Sequence, residues 1–325
     1  MSASGLPYRL RPNKYVDREL FAELLSVAVA RHGADSYVYI SMGGRHLVDH
    51  HSIMRRAGLR KFVSIDRDPM VVARQRFNAA APGAICEAVD SGELPSRIQD
   101  YLERLGSDRA IVWLDFTEPK RMRQLREVEE LATFLQPGDV LRVTLNADLK
   151  AVEEKRIAEL SETQKSLPAE RRRALILKRE VGNYLPGSVE SVTSEEIGSA
   201  LVACVGRACG VGIERSSGGR AAVPLLLTEY SDTTTMVTAT VLFSGEDDED
   251  VDIFRKWEHA AQDWSHVERL TIPDLSSRER QALDVAELDG TPALQDILGF
   301  DFAPDDVAIY RRFRRFFPTF HPISD

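Results

Sequence analysis

Four points along the chain put glycine or carboxylate where a ligand-binding loop needs them. Ser41-Met42-Gly43-Gly44 closes a short apolar run. Glycine at such a turn lets backbone approach a ligand and leaves the N–H groups of the following helix pointing at it. A second run ends in Ile65-Asp66-Arg67, and a carboxylate about 20 residues after a glycine turn is placed to accept both ribose hydroxyls of an adenosine. Asp68 and Pro69, which follow, fit a helix N-cap and first turn instead. A third run leads into Val89-Asp90-Ser91, where Asp90 can accept from an adenine amino group or cap a helix before Pro95. The fourth ends in Trp113-Leu114-Asp115-Phe116-Thr117-Glu118-Pro119. Thr117 suffices as a cap before Pro119, so Asp115 has no structural duty there and faces where a reacting group would lie.

These points recur because the elements that carry them recur. Short β-rich runs at 37–42, 62–66, 84–88, 110–115 and 140–145 alternate with helical windows at 47–57, 69–78, 95–105 and 119–134. The runs are apolar and poor in charge, as strands covered on both faces are. Five βα repeats give a parallel, doubly wound sheet with its ligand at the carboxyl ends of the strands. Ahead of them, Phe21, Leu24, Leu25 and Ala28 make one stripe of a helix over 14–32, with Glu19 and Glu23 on the other side and Gly33 as its stop. Pro119 suits the first position of the fourth helix, and Pro137-Gly138 ends it. Residues 147–210 are charged and helix-favouring. Two further strands at 222–229 and 234–243 are joined by only Tyr230–Thr233, too short for a crossover helix, so they pair antiparallel. An acidic stretch at 246–252 reads as a solvated loop or helix start, and the tail is helical.

The fold class is therefore α/β: a doubly wound, Rossmann-like, seven-stranded sheet of five parallel strands plus an antiparallel C-terminal hairpin, with a helical insertion and a helical C-terminal tail. That divides the chain into an N-terminal helix (1–35), a Rossmann-like core (36–146), a charged helical insertion (147–215), the strand pair (216–245) and the tail (246–325). This strand inventory is that of the class I S-adenosylmethionine-dependent methyltransferases, since a dehydrogenase domain would continue with parallel strands.

Composition narrows the partners. The 325 residues carry 42 Lys+Arg against 51 Asp+Glu, a net charge of −9, which disfavours indiscriminate binding to nucleic acid or anionic membrane. Three cysteines (Cys86, Cys204, Cys209) argue for a reducing compartment, and the 204/209 spacing fits small apolar helix positions better than zinc ligands. The start has no apolar signal-peptide core. Apolar stretches such as 24–30 and 221–227 fall short of the roughly 20 residues of a membrane span. The expectation is a cytoplasmic protein with no membrane partner.

Tyr8-Arg9-Leu10-Arg11-Pro12-Asn13-Lys14, Tyr39-Ile40-Ser41-Met42-Gly43-Gly44 and Trp113-Leu114-Asp115-Phe116-Thr117 resemble the signatures of a bacterial family of putative O-methyltransferases. Ile272-Pro273-Asp274-Leu275-Ser276 and Tyr310-Arg311-Arg312-Phe313-Arg314-Arg315-Phe316-Phe317-Pro318 are similar to that family's tail. The resemblance covers nearly the whole chain and implies S-adenosyl-L-methionine as cofactor. It also implies that the segment holding Arg11 and Lys14 folds over the cofactor; a solvated helix N-terminus is the competing reading, against which stands that cations are electrostatically unfavourable at a helix N-terminus. The expected set is Asp115 as catalytic residue, with Met42, Gly43, Gly44, Asp66, Arg67, Asp90, Ser91 and Lys14 as cofactor contacts. No metal ligand is assigned: His46 and His50 are spaced i, i+4 but lack a third ligand.

The sequence leaves the methyl acceptor and the oligomeric state open. The chain holds no nucleophile elbow, P-loop or dinucleotide fingerprint. Its glycine motif is reduced to Gly43 and Gly44, so a methyltransferase fold kept as a binding or scaffold module is an alternative. A second alternative, an amino-methyltransferase acting on nucleic acid, draws on the acid-to-proline motif after the fourth strand. The arginines at 311–315, interleaved with aromatics, suit either base stacking or packing of a terminal helix.

Overall fold

Short runs of β-branched and aromatic residues become strands because both of their faces can be covered. In the computed structural model, which describes residues 11–148, 156–216, 219–245, 249–289, 300 and 302–318, helix α1 (Pro12–His32) comes first. There follow β1 (Tyr37–Ser41), α2 (Val48–Ala57), β2 (Phe62–Asp66), α3 (Pro69–Asn78), β3 (Ile85–Ala88), α4 (Ile98–Leu105), β4 (Arg109–Asp115), α5 (Arg121–Phe134) and β5 (Val140–Asn146). Beyond β5 lie α6 (Ala169–Val181), α7 (Ile197–Glu214), β6 (Ala221–Ser231), β7 (Thr235–Ser244), α8 (Glu249–Arg255), β8 (Glu268–Leu270), α9 (Ser277–Asp289) and α10 (Pro304–Phe313). The sheet runs β3-β2-β1-β4-β5-β7-β6-β8. β1 to β5 are parallel, and β7 is antiparallel to both β5 and β6.

Register aligns the strand ends that matter. Ser41 pairs with Trp113, Asp115 with Thr144, and Asp66 with Ala88, so the carboxyl ends of β1, β2, β4 and β5 share one edge. Chain order reverses between β1 and β4, and a crevice opens at such a switch point. Alternation sorts the side chains: Val38, Ile40, Val112 and Leu114 face the layer of α5 and α7, while Tyr37, Tyr39, Ile111 and Trp113 face α1.

Several local expectations change. α5 begins at Arg121 behind Lys120, so Pro119 is not its first residue and Thr117 does not cap it. The window at 95–105 divides into a 3-10 turn (Ser91–Ser96) and α4. Glu19 and Glu23 do not face water: Glu19 is 1% exposed and accepts from Ser52 and Arg56, and Glu23 accepts from Trp257 Nε1 at 3.1 Å. The segment after β5 is not uniformly charged. Its last helix, α7, is apolar and 18 residues long, enough by length and composition to cross a membrane, yet it lies against α5 and β6. The two helices approach so closely that a side chain at Gly212 would run into the Glu129 carbonyl. Cys204 and Cys209 sit buried on α7 as small apolar residues. β8 adds an eighth strand, parallel to β6, inside a tail expected to be helical. Tyr8, Arg9 and Leu10, the charged residues at 153–155, the acidic stretch at 246–248 and the last residues from 319 lie outside the described residues.

Candidate active site

α1 begins with Pro12 at its first turn behind Arg11, which contributes no side-chain cap. The exposed N–H groups of that turn are met instead by Asp232, in the turn between β6 and β7. Its Oδ1 accepts from the Asn13 backbone N–H (3.0 Å) and side-chain Nδ2 (3.1 Å), and its Oδ2 accepts from Lys14 N–H (3.0 Å). Asn13 also donates to the Ser231 carbonyl (3.1 Å) and accepts from Ile272 N–H (2.7 Å). From this anchored turn Lys14 reaches the end of β4, with Nζ 2.9 Å from Asp115 Oδ2 and 3.2 Å from Oδ1. The two side chains are only 4% and 17% exposed, so the pair is largely withdrawn from water. The helix end that looked unfavourable for a cation is thus neutralised from two sides.

The glycine turn divides its duties. A Cβ on Gly43 would lie 2.8 Å from Leu47 Cδ2 and 3.0 Å from Ser64 Oγ, so packing beneath the turn demands that glycine. Gly44 has φ +56°, a left-handed conformation that favours glycine, with open space where a Cβ would be, and its N–H donates to the Met42 carbonyl (2.7 Å). Leu47 takes the left-handed conformation (φ 49°) to start α2. Below the turn, Asp49 Oδ2 accepts from Tyr39 Oη (2.8 Å) and Ser41 Oγ (2.7 Å), and Ser41 Oγ lies 3.0 Å from His50 Nε2. Ser, His and Asp meet here, but the aspartate bonds the serine rather than the imidazole and all three are buried, so this is a support and not a nucleophilic triad. Burial holds the His50 imidazolium pKa below its usual value and, with Asp49 beside it, the Tyr39 phenol well above. His46 is exposed in the turn ahead of α2 while His50 stacks on Phe62, so the two do not share a helix face.

The remaining expected contacts fall into two groups. Asp66 Oδ1 accepts from Asp68 N–H (2.8 Å), while no donor meets its Oδ2 among the described residues; Asp68 caps α3 through Met70 N–H (2.8 Å). Asp90 has structural duties: its Oδ1 accepts from Gly92 N–H (3.0 Å) and from Arg123 Nη2 (2.5 Å), and Glu93 reaches back in a capping box, while no donor among the described residues meets its Oδ2. The Gly92 N–H, then Arg123, hold its carboxyl below the usual range. Ser91 Oγ donates to Glu127 of α5 (2.7 Å). Arg67 is exposed, 3.6 Å from Glu118, and Met42 packs half-buried on the core. The wall after β4 is braced from β5, where Asn146 donates to the Thr117 carbonyl (3.3 Å) and buried Arg121 donates to the Asn146 carbonyl (2.9 and 2.7 Å) and to Glu180.

The terminal aromatics pack: Phe313 and Phe316 are buried around His259, and Arg312, Arg314 and Arg315 pair with Glu268, Asp284 and Glu23. Sequence reasoning missed Asn13 and Asp232 as a unit, because their contact spans 219 residues.

Residues 6–325 match the model of a family described as Putative O-methyltransferase. No curated protein matches the chain. Among solved structures, a putative methyltransferase from Thermobifida fusca YX is 16% identical with a TM-score of 0.36, covering 71% of this chain and 82% of that one. Trm1 from Pyrococcus horikoshii in complex with S-adenosyl-L-methionine is 12% identical with a TM-score of 0.48, covering 78% and 60%. An O-methyltransferase family protein from Burkholderia thailandensis is 14% identical with a TM-score of 0.34, covering 70% and 57%. At these values the fold rests on the strand order itself.

Proposed function

The chain belongs to the family described as Putative O-methyltransferase, and from that premise we propose that it transfers a methyl group from S-adenosylmethionine to an acceptor hydroxyl at the carboxyl edge of β1, β2 and β4. The observation that carries this reading is the Lys14–Asp115 pair. Two elements 101 residues apart bring an ammonium and a carboxylate together beside the switch point. The residues present fit such a cofactor: the space where a Gly44 side chain would stand is open, and Asp66 Oδ2 is clear to accept ribose hydroxyls.

When bound, the cofactor supplies an already activated sulfonium methyl. The protein then has to align the acceptor, exclude water and accept a proton. Asp115 orients the acceptor hydroxyl and takes its proton at Oδ1, the oxygen further from Lys14 Nζ. Lys14 fixes the direction of that carboxylate. Gly43 and the Ser41–Asp49 bond beneath it hold the glycine turn rigid, so Gly44 meets the cofactor without rearrangement. Three free, buried cysteines support a reducing, cytoplasmic setting, and the resemblance supports a bacterial one.

Isothermal titration with S-adenosylhomocysteine tests the reading directly. Saturable one-site binding is expected, and no heat and no thermal shift at millimolar ligand would overturn it.

A further inference from the structure

We propose that Asp232 is a positioning residue for the Lys14–Asp115 pair, working through a clasp with Asn13 that sets where the Lys14 ammonium lies. This rests on the reading of that pair as the acceptor side of the site.

Several observations converge on Asp232. Its two oxygens accept three N–H groups from two consecutive residues of α1, the backbone amides of Asn13 and Lys14 and the Asn13 side chain. The residue whose amide it holds is the one whose ammonium reaches Asp115. The N-cap residue of α1, Arg11, offers no side-chain cap, so the duty of capping passes to a turn 219 residues away. Asn13 completes the clasp by accepting from Ile272 N–H just past β8, which ties the helix start to the sheet edge on both sides. A helix that needed only a cap would have one at Arg11, as Ser and Asp commonly provide. Placing the cap on the β6–β7 turn makes the helix start, and hence Lys14, register against the sheet rather than against its own chain. Asp232 need not touch cofactor or acceptor to do this.

The test reads the position of the ammonium itself. Wild type, Asp232→Ala, Asp232→Asn and Asp115→Asn are reductively methylated with formaldehyde and borohydride, and the rate at Lys14 is followed by peptide mass spectrometry. Lys61, held at the far end of the sheet by Asp35 and Gly106 carbonyls and the Ser107 hydroxyl, serves as internal control. Lys14 in the wild type, 3% exposed, is expected to react slowly. In Asp232→Ala it should react roughly tenfold faster by local opening, approaching Asp115→Asn, with Lys61 unchanged. Asp232→Asn, which keeps an acceptor for Asn13 but not for the Lys14 amide, should fall between. If Asp232→Ala does not fold, the Asp232→Asn rate decides alone. Lys14 rates equal to wild type, or Lys14 and Lys61 accelerating together, would overturn the proposal. Titration of the same samples with S-adenosylhomocysteine keeps the two readings apart: absence of binding in wild type strikes the proposed function, while the Lys14 rate still decides the clasp.

Discussion

Asp17 and Arg142 form an ion pair at 2.6 Å with both side chains fully buried. Asp17 lies one turn after Lys14 on α1, and Arg142 lies in the middle of β5, so the pair fixes the rotation of the helix over the sheet. Thr228 and Thr238 donate to Asp17 at 2.5 and 3.1 Å, and Thr240 accepts from Arg142 at 2.6 Å. The guanidinium stands 4.5 Å from the Phe21 ring centroid and 4.9 Å from that of Trp113. Two buried charges demand this much company, because each alone would cost several kcal/mol of desolvation. The arrangement leaves α1 only one way to lie, and that way points Lys14 at Asp115.

Breaking that pair from one side leaves a charge stranded. Arg142→Met should destabilise the fold by about 3–5 kcal/mol, read as a lowered urea midpoint. Adding Asp17→Leu removes the stranded carboxylate and should recover a substantial part of the loss. A double variant no better than Arg142→Met would show that the pair is not the source of the effect.

The Lys14–Asp115 pair should show the same interdependence on a smaller scale. In a cycle of Lys14→Met, Asp115→Asn and the double variant, the coupling energy should be about 0.5–3 kcal/mol. Strictly additive changes would mean that the contact at 2.9 Å contributes nothing. Methyl transfer, once an acceptor is in hand, should fall further for Asp115→Asn than for Lys14→Met if, as proposed, Asp115 alone takes the acceptor's proton.

The sheet and the carboxylates at its strand ends were legible in the sequence because each rests on a local pattern. Apolar runs at βα spacing, a four-residue hairpin link, a glycine turn after the first strand and an acid at the end of the second, third and fourth are all read within some ten residues. The devices that place α1 were not, since Asn13 with Asp232 and Asp17 with Arg142 are long-range pairs. A signal existed nonetheless. Asp17 falls on the apolar stripe of α1 with Phe21, Leu24 and Ala28, and Arg142 is the one charge in a wholly buried strand. A lone charge in each of two apolar faces is what a buried pair looks like before folding. Asp90 shows the converse: the local pattern allowed a ligand contact or a cap, and a distant arginine, Arg123, adds to the structural side. β8 had no signal at all, being three residues long and recruited by the exposed edge of β6.

Stability should depend on pH through Asp139, at the turn into β5. Burial pushes its carboxyl up to about 7, against the lowering effect of hydrogen bonds from Gln136 and Ala110 N–H. The unfolded chain releases this proton near 3.8 while the folded chain keeps it to about 7, so this group's contribution falls as pH rises through that window. Asp139→Asn removes the titration and should flatten the slope on the order of 1 kcal/mol per unit. Urea midpoints of both proteins at pH 5 and pH 8 check this, and because His50 titrates in both, the difference between them isolates Asp139. Parallel slopes would refute it.

Asp66 and Asp68 stand two residues apart and should fail in different ways. Asp66 gives one oxygen to Asp68 N–H, and on the proposed reading the other accepts ribose hydroxyls. Asp68 spends its side chain on the cap of α3. Asp66→Ala loses charge-assisted hydrogen bonds to the cofactor, each worth about 1.5–3 kcal/mol. With two such bonds lost, affinity for S-adenosylhomocysteine should drop by roughly two orders of magnitude or more, since about 1.4 kcal/mol is tenfold. Its stability loss should stay near 1 kcal/mol, the cost of one turn hydrogen bond at a partly exposed site. Asp68→Ala should lose about 1 kcal/mol of stability through its cap and bind nearly as wild type. Calorimetric titration paired with urea denaturation separates the two. Wild-type affinity in Asp66→Ala would show that this edge does not hold a nucleoside through Asp66, and would move the cofactor away from β2.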